Sequence, residues 1–160
     1  MRHLQIVPPT KLDEMKTYFY DYLRELSEFD PDILFDEHGT PIYKWYEYYW
    51  KDKERYPFYL IIDEQIAGLA MIREMNKTSY DIAEFYVLPK FRQGGNAIWF
   101  ATELTKLFDG QFTFSTRFSN PRAIKFWGKF AQLFSNNEYV DDEIWRNWTI
   151  RKNPHNLVQK

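Results

Sequence analysis

Three groups of residues in this 160-residue chain have the types and spacing to do chemistry. The first is the run from Glu84 to Ala97, Glu-Phe-Tyr-Val-Leu-Pro-Lys-Phe-Arg-Gln-Gly-Gly-Asn-Ala. An apolar strand ends at Val87–Leu88, a proline and a basic turn follow, then two glycines, and a helical pattern begins at Ala97. That order gathers free backbone N–H groups, a helix N-terminus and the Arg92 guanidinium around one point, which attracts phosphate. Gly94 and Gly95 lack a Cβ, so a ligand can approach their main chain and positive φ costs little. The second is Glu84 itself. A carboxylate inside so apolar a strand is costly unless it is paired, solvated or used. Desolvation raises its pKa toward that of a general base for an ammonium substrate. The other reading of Glu84 is a salt-bridged or channel-facing side chain that moves no proton. The third group is Asn120-Pro121, which reads as a helix cap followed by proline at the first helical position.

The elements that position these groups follow from periodicity. Leu4 and Ile6 suggest a first strand closed by Pro8-Pro9. Thr10 reads as a helix cap, and Leu12, Met15, Phe19, Tyr22, Leu23 and Leu26 recur at helical spacing to about Phe29. Residues 30–41 form an acidic loop, and Pro41 opens a second helix over 42–51, crowded with Tyr43, Trp45, Tyr46, Tyr48, Tyr49 and Trp50. Residues 58–62 and 66–75 are β-prone around a turn at 63–65, giving a hairpin, and 80–87 is a third long strand. Strict alternation puts Ile82, Glu84 and Tyr86 on one face and Ala83, Phe85 and Val87 on the other. Ala97, Ala101, Leu104 and Phe108 line the next helix. Phe112, Phe114 and Thr116 alternate as a strand, and Ala123, Phe126, Trp127, Phe130 and Phe134 make the stripe of the Asn120 helix. Residues 139–150 finish as one or two strands, with a polar tail that frays. The order β-α-α-β-β-β-α-β-α-β predicts one α/β (α+β) domain over 1–160, a mixed and mostly antiparallel sheet flanked by helices.

Composition narrows the chemistry. Lys plus Arg number 21 against 23 acids, a net charge of −2, which gives no electrostatic case for nucleic acid. Cysteine is absent, removing thiolate catalysis and Cys-based zinc sites and suiting a reducing cytoplasm. No apolar run reaches the roughly 18–20 residues that span a bilayer, and no signal peptide is expected. His3, His38 and His155 are far apart, so no metal site is expected. Walker, G-x-G-x-x-G and G-x-S-x-G patterns are all missing.

Val87-x-Pro89-x-x-Arg92-x-x-Gly95-x-Ala97 resembles the pyrophosphate motif of the GNAT superfamily of acetyl-CoA-dependent N-acyltransferases, R/Q-x-x-G-x-G/A after a strand. Asn120-x-x-Ala123-x-x-Phe126-Trp127 resembles the later family segment N-x-x-A-x-x-F-Y. The two motifs span residues 57–134 with their flanking elements. Within the family the chain is similar to a little-characterised bacterial group with E-F-F/Y-V before the motif and F-W in place of F-Y. The resemblance implies a GNAT fold and acetyl-CoA as co-substrate. Arg92, Gln93, Gly94, Gly95, Asn96 and Ala97 would hold the pyrophosphate. Tyr86 and Val87 would hold the pantetheine through their backbone, with Asn120 and Phe126 on its far side. Glu84 would be the catalytic base in direct transfer to a primary amine of a small molecule or peptide, by a monomer or homodimer. Trp127 replaces a tyrosine that many relatives use as the acid, and some relatives carry the Glu where this chain has Ala83. Those two departures keep open a second reading, a non-catalytic module that binds or senses acyl-CoA. Tyr86 and Tyr139 are the candidate substitutes for the acid. From Asp21 to Glu37 there are seven acids against one arginine, Arg24. With the aromatic second helix, they suggest a cationic acceptor held by Asp30, Asp32, Asp36 and Tyr46.

Overall fold

A computed structural model describes residues 1–151. Its elements are β1 (Arg2–Ile6), α1 (Leu12–Leu26), β2 (Leu34–Phe35), β3 (Pro41–Ile42), α2 (Tyr48–Lys51), β4 (Arg55–Ile62), β5 (Gln65–Asn76) and β6 (Ser79–Val87). α3 (Asn96–Lys106), β7 (Gln111–Arg117), α4 (Pro121–Ala131), β8 (Asn137–Asp141) and β9 (Trp145–Arg151) follow. Seven strands form one sheet in the order β1-β4-β5-β6-β7-β9-β8, while β2 and β3 pair by themselves. All neighbours in the large sheet are antiparallel except β6 and β7. A mixed, mostly antiparallel sheet flanked by helices is therefore the architecture.

Two cores sit on the two faces of the sheet. On one, Phe100, Ala101 and Leu104 of α3 and Trp127, Phe130 and Ala131 of α4 pack on Ile72, Ile82, Phe112 and Phe114. On the other, Met15, Phe19 and Leu23 of α1 cover Leu69, Met71 and Tyr86 together with Tyr46 and Tyr49. Burying aromatic and aliphatic side chains of this size stabilises by roughly 1.5–3 kcal/mol each, so both helical layers are firmly fixed.

Several expectations from sequence need correction. Thr10 caps nothing: it lies in a 3₁₀ turn, and α1 starts at Leu12 with no side-chain cap. The second helix is only the four residues of α2, because Pro41 and Ile42 pair as a strand with Phe35 and Leu34, and residues 44–47 are turns. Tyr46 and Trp50 anchor that segment instead, donating hydrogen bonds to Leu12 O (2.7 Å) and Val7 O (2.8 Å). The alternation along β6 also breaks. Glu84 pairs with Met71 but Ile82 pairs with Ile72, a bulge that leaves Ala83 as the extra residue. Ile82 therefore faces α3 and α4, whereas Glu84 and Tyr86 face α1. The expectation that the tail frays falls, from residue 152 onward and including His155, outside the described residues.

Candidate active site

The site is built where β6 and β7 part. Their parallel ladder pairs only Ser79, Tyr80 and Asp81 with Gln111, Phe112 and Thr113; beyond that both strands run on unpaired with each other. Leu88 N–H donates to Ala67 O on the β5 side (2.8 Å). By the alternation of main-chain groups, those of Val87 turn toward β7. The Arg92 Nε donates to Val87 O at 2.8 Å, leaving the Val87 N–H as the donor aimed into the gap. A cavity of about 520 Å³ fills this gap, a size typical of ligand sites. Its walls include Glu84, Tyr86 and Val87 of β6, Tyr22 of α1, Thr116 and Arg117 of β7, and Asn120, Phe126 and Trp127 at α4.

At one end stands the glycine turn. Gly94 and Gly95 both have φ of +72°, and a Cβ built on either would meet nothing within 4 Å. The space over this turn is open, and the first N–H groups of α3 have no partner within the helix, which makes its start a place for an anion. Gly95, which has no side chain to cap with, takes the N-cap position of α3. The turn is held from behind. Asn96 Nδ2 donates to Phe91 O (2.9 Å), and Arg2 Nη1 on β1 donates to Asn96 Oδ1 (3.1 Å). Gln93 is exposed at the rim, and Ala97 lines the cavity. Arg92 is braced: besides Val87 O, its Nη2 donates to Glu25 (2.8 Å) and its guanidinium lies 5.5 Å from the Tyr86 ring centre. It positions the turn as much as it supplies charge. At the cavity's other wall Asn120 Oδ1 accepts from Ala123 N–H at 3.2 Å, capping α4, and Phe126 stacks on Phe85 at 5.6 Å.

Glu84 is half-buried between the two cores. Tyr22 OH donates to its Oε1 at 3.0 Å and Tyr43 OH to its Oε2 at 3.5 Å. Burial pushes its pKa up to about 8; the two hydroxyl bonds pull the other way, and nearby Asp81 adds to the rise. The carboxyl can thus hold a proton at neutral pH and give it up slightly above. The Phe85 N–H reaches the Tyr22 oxygen, and burial followed by the Glu84 charge drives the Tyr22 pKa well above its usual value. A carboxyl and a phenol hydroxyl are hydrogen-bonded in one cavity wall. Trp127 is packed in the aromatic cluster, its ring centre 4.7 Å from that of Phe114 and 5.0 Å, edge-on, from that of Phe85. Tyr139 is on β8, exposed beneath Arg146 and away from the cavity.

The acidic loop departs from expectation. Asp30 is buried at the cavity, but Arg117 Nη1 pairs with it at 3.3 Å and with Asp32 at 3.4 Å. Asp36 builds its own turn, accepting from His38 N–H and Thr40 N–H, and does not reach the cavity. Tyr46 is buried under α1, with its hydroxyl donated to Leu12 O. Asp36 and Tyr46 thus lie away from the cavity, and the single Arg117 cation offsets part of the charge of Asp30 and Asp32. Sequence reading missed Tyr22, Tyr43 and Arg117. Tyr22 hid in the apolar stripe of α1, yet a buried tyrosine hydroxyl needs a partner, and that need was the available signal. Among the described residues no group of three metal-ligating side chains forms, and no helix is long and apolar enough to cross a membrane.

A model of the acetyltransferase (GNAT) family matches residues 15–131, and the chain belongs to that family of acyltransferase enzymes. Among solved structures it is similar to a spermidine N-acetyltransferase from Vibrio cholerae in complex with CoA and spermine. That match has 15% identity and a TM-score of 0.65 over 94% of this chain and 95% of that one. It is similar also to the N-acetyltransferase PseH of Campylobacter jejuni (16%, 0.59, 95% and 99%). A third is a putative streptothricin acetyltransferase from Bacillus anthracis in complex with acetyl coenzyme A (12%, 0.64, 96% and 99%). At these identities the likeness shows the fold. No curated protein matches.

Proposed function

We propose that this protein transfers an acetyl group from acetyl-CoA to a primary amine by direct attack in a ternary complex, acting as one domain in the cytoplasm. The observation that carries this reading is the placement of Glu84. Its carboxyl, with an affinity for protons suited to deprotonating an ammonium, faces the gap between β6 and β7. The open glycine turn heads that same gap. The pyrophosphate fits over Gly94–Gly95 and the first N–H groups of α3, and the pantetheine arm lies along Tyr86 and Val87. The Val87 N–H polarises the thioester oxygen.

The Glu84 carboxylate takes a proton from the ammonium, and the freed nitrogen lone pair attacks the thioester carbon. The C–N bond forms, the nitrogen gives up its second proton, the C–S bond breaks, and the CoA thiolate leaves and takes up a proton. Indole at 127 cannot give that proton; Tyr22 is the hydroxyl placed beside the base. Holding the two reactants in one cavity supplies much of the rate. The test is thiol release from acetyl-CoA across a panel of primary amines, with Glu84→Gln as control. Amine-dependent release that the variant loses supports the proposal. Binding of CoA without release for any amine supports the non-catalytic module instead.

A further inference from the structure

Glu84 forms part of a second cavity of about 390 Å³, on the α1 face of the sheet, which shares Tyr43, Ala83 and Glu84 with the first. Its far wall is basic. Arg55 and Arg73 are direct partners across the β4–β5 ladder, and Arg73 is in turn opposite Asp81 across β5–β6. The three side chains form one row of the sheet and all line the cavity. Like charges directly opposite each other on a sheet repel. Arg55 has a partial answer: its Nε donates to Asp52 (3.1 Å), and its guanidinium lies 5.1 Å from the Tyr49 ring centre. Among the described residues no hydrogen bond or ion pair ties down the Arg73 guanidinium. Asp81 does not offset the pair fully, because its carboxyl accepts from Thr113 Oγ1 (2.7 Å) and burial raises its affinity for a proton. Behind the wall the Tyr49 hydroxyl is buried beside that of Tyr43, in the field of Glu84, Arg55 and Arg73.

We propose that this second cavity is the acceptor subsite and that Arg73, with Arg55, binds an anionic group carried by the acceptor, so the substrate is an amine bearing a carboxylate. This rests on the acetyl-transfer reading above and specifies its substrate class. Asp81, the strand partner of Arg73, precedes Glu84 by three residues, about 10 Å along an extended strand. The amine at Glu84 and the anion at Arg73 are therefore several bonds apart, as in an ω-amino acid. The acceptor is zwitterionic, in place of the cationic one that the acidic loop suggested.

The experiment compares 6-aminohexanoate with its neutral isostere 6-aminohexanamide. Binding to the CoA-loaded protein is measured by calorimetry for wild type, Arg73→Gln and Arg73→Lys. Thiol release from acetyl-CoA is followed with the same two amines. The carboxylate should bind about tenfold tighter than the amide or better, the scale of a charge-assisted hydrogen bond. Arg73→Gln should erase that preference and Arg73→Lys retain part of it. Equal binding of the two ligands, no binding of either, or a preference that survives Arg73→Gln overturns the subsite. If binding shows no preference and both amines are acetylated alike, the subsite falls and acetyl transfer stands. If the preference is present and depends on Arg73 but no thiol is released, the subsite stands and acetyl transfer falls.

Discussion

Tyr22 and Glu84, 62 residues apart in the chain, share a hydrogen bond of 3.0 Å in which the phenol donates to the carboxylate. This bond joins the helix that covers one core to the strand that borders the gap. It makes α1 part of the cavity wall as well as part of the packing. It also opposes the effect of burial, holding the Glu84 pKa lower than burial alone would set it.

Glu84→Gln should lower turnover by about 10² or more with little change in acetyl-CoA affinity, the usual scale for a general base. In wild type, activity should rise with pH through the Glu84 pKa of about 8, because only the ionised carboxylate accepts the proton. The variant should show no such limb. The check is a kcat/KM profile from pH 6 to 9.5 for both proteins; superimposable profiles would assign Glu84 a structural part only.

The same pKa makes a stability prediction of opposite sense. The carboxyl goes from about 4.5 unfolded to about 8 folded, so the native state keeps its proton where the unfolded chain has lost it. The contribution is complete below pH 4.5 and is lost as pH rises to 8. Glu84→Gln has no proton to lose there. Its stability relative to wild type, from urea unfolding at pH 5, 6.5 and 8, should increase with pH.

Tyr22→Phe removes the bond that favours the charged carboxylate. The Glu84 pKa should move upward, shifting the activity limb to higher pH. If Tyr22 also protonates the leaving thiolate, the plateau rate should fall too, by about 10². A shift with an intact plateau separates tuning from catalysis; no shift and no fall would remove Tyr22 from the mechanism.

Gly95→Asp and Gly95→Asn add side chains of nearly the same size, and both residues tolerate φ of +72° better than other non-glycines. The Asp variant alone adds a negative charge over the turn. Calorimetry should show CoA binding weakened in both and at least tenfold more in the Asp variant. Equal binding by all three proteins would place the pyrophosphate elsewhere.

The glycine turn was legible in the sequence because its signal is local: positive φ, an unprotected helix start and a nearby arginine all lie within a few residues. The Asn120 cap was legible for the same reason, and the structure shows Asn120 Oδ1 accepting from Ala123 N–H. The strands around Glu84 were legible as strands. The bulge at Ala83 was not, because its pairing partners on β5 fix it and no residue on β6 announces it. The length of α2 was equally hidden, since Tyr46 and Trp50 are held by carbonyls of Leu12 and Val7 more than thirty residues away. The charge count over 21–37 could not include Arg117, which pairs with Asp30 and Asp32 from β7.

The three-pair seam between β6 and β7 has a mechanical meaning as well. Every other junction in the sheet is tied over five residue pairs or more, so load applied across the strands concentrates at Asp81–Thr113. The β1-β4-β5-β6 panel and the β7-β9-β8 panel meet there as two leaves on one short joint. A molecule wedged into the gap completes the missing rungs and stiffens the joint. Amides of residues 82–87 and 114–117 should accordingly exchange with solvent more slowly once the gap is filled, while those of β4 and β5 stay as they were.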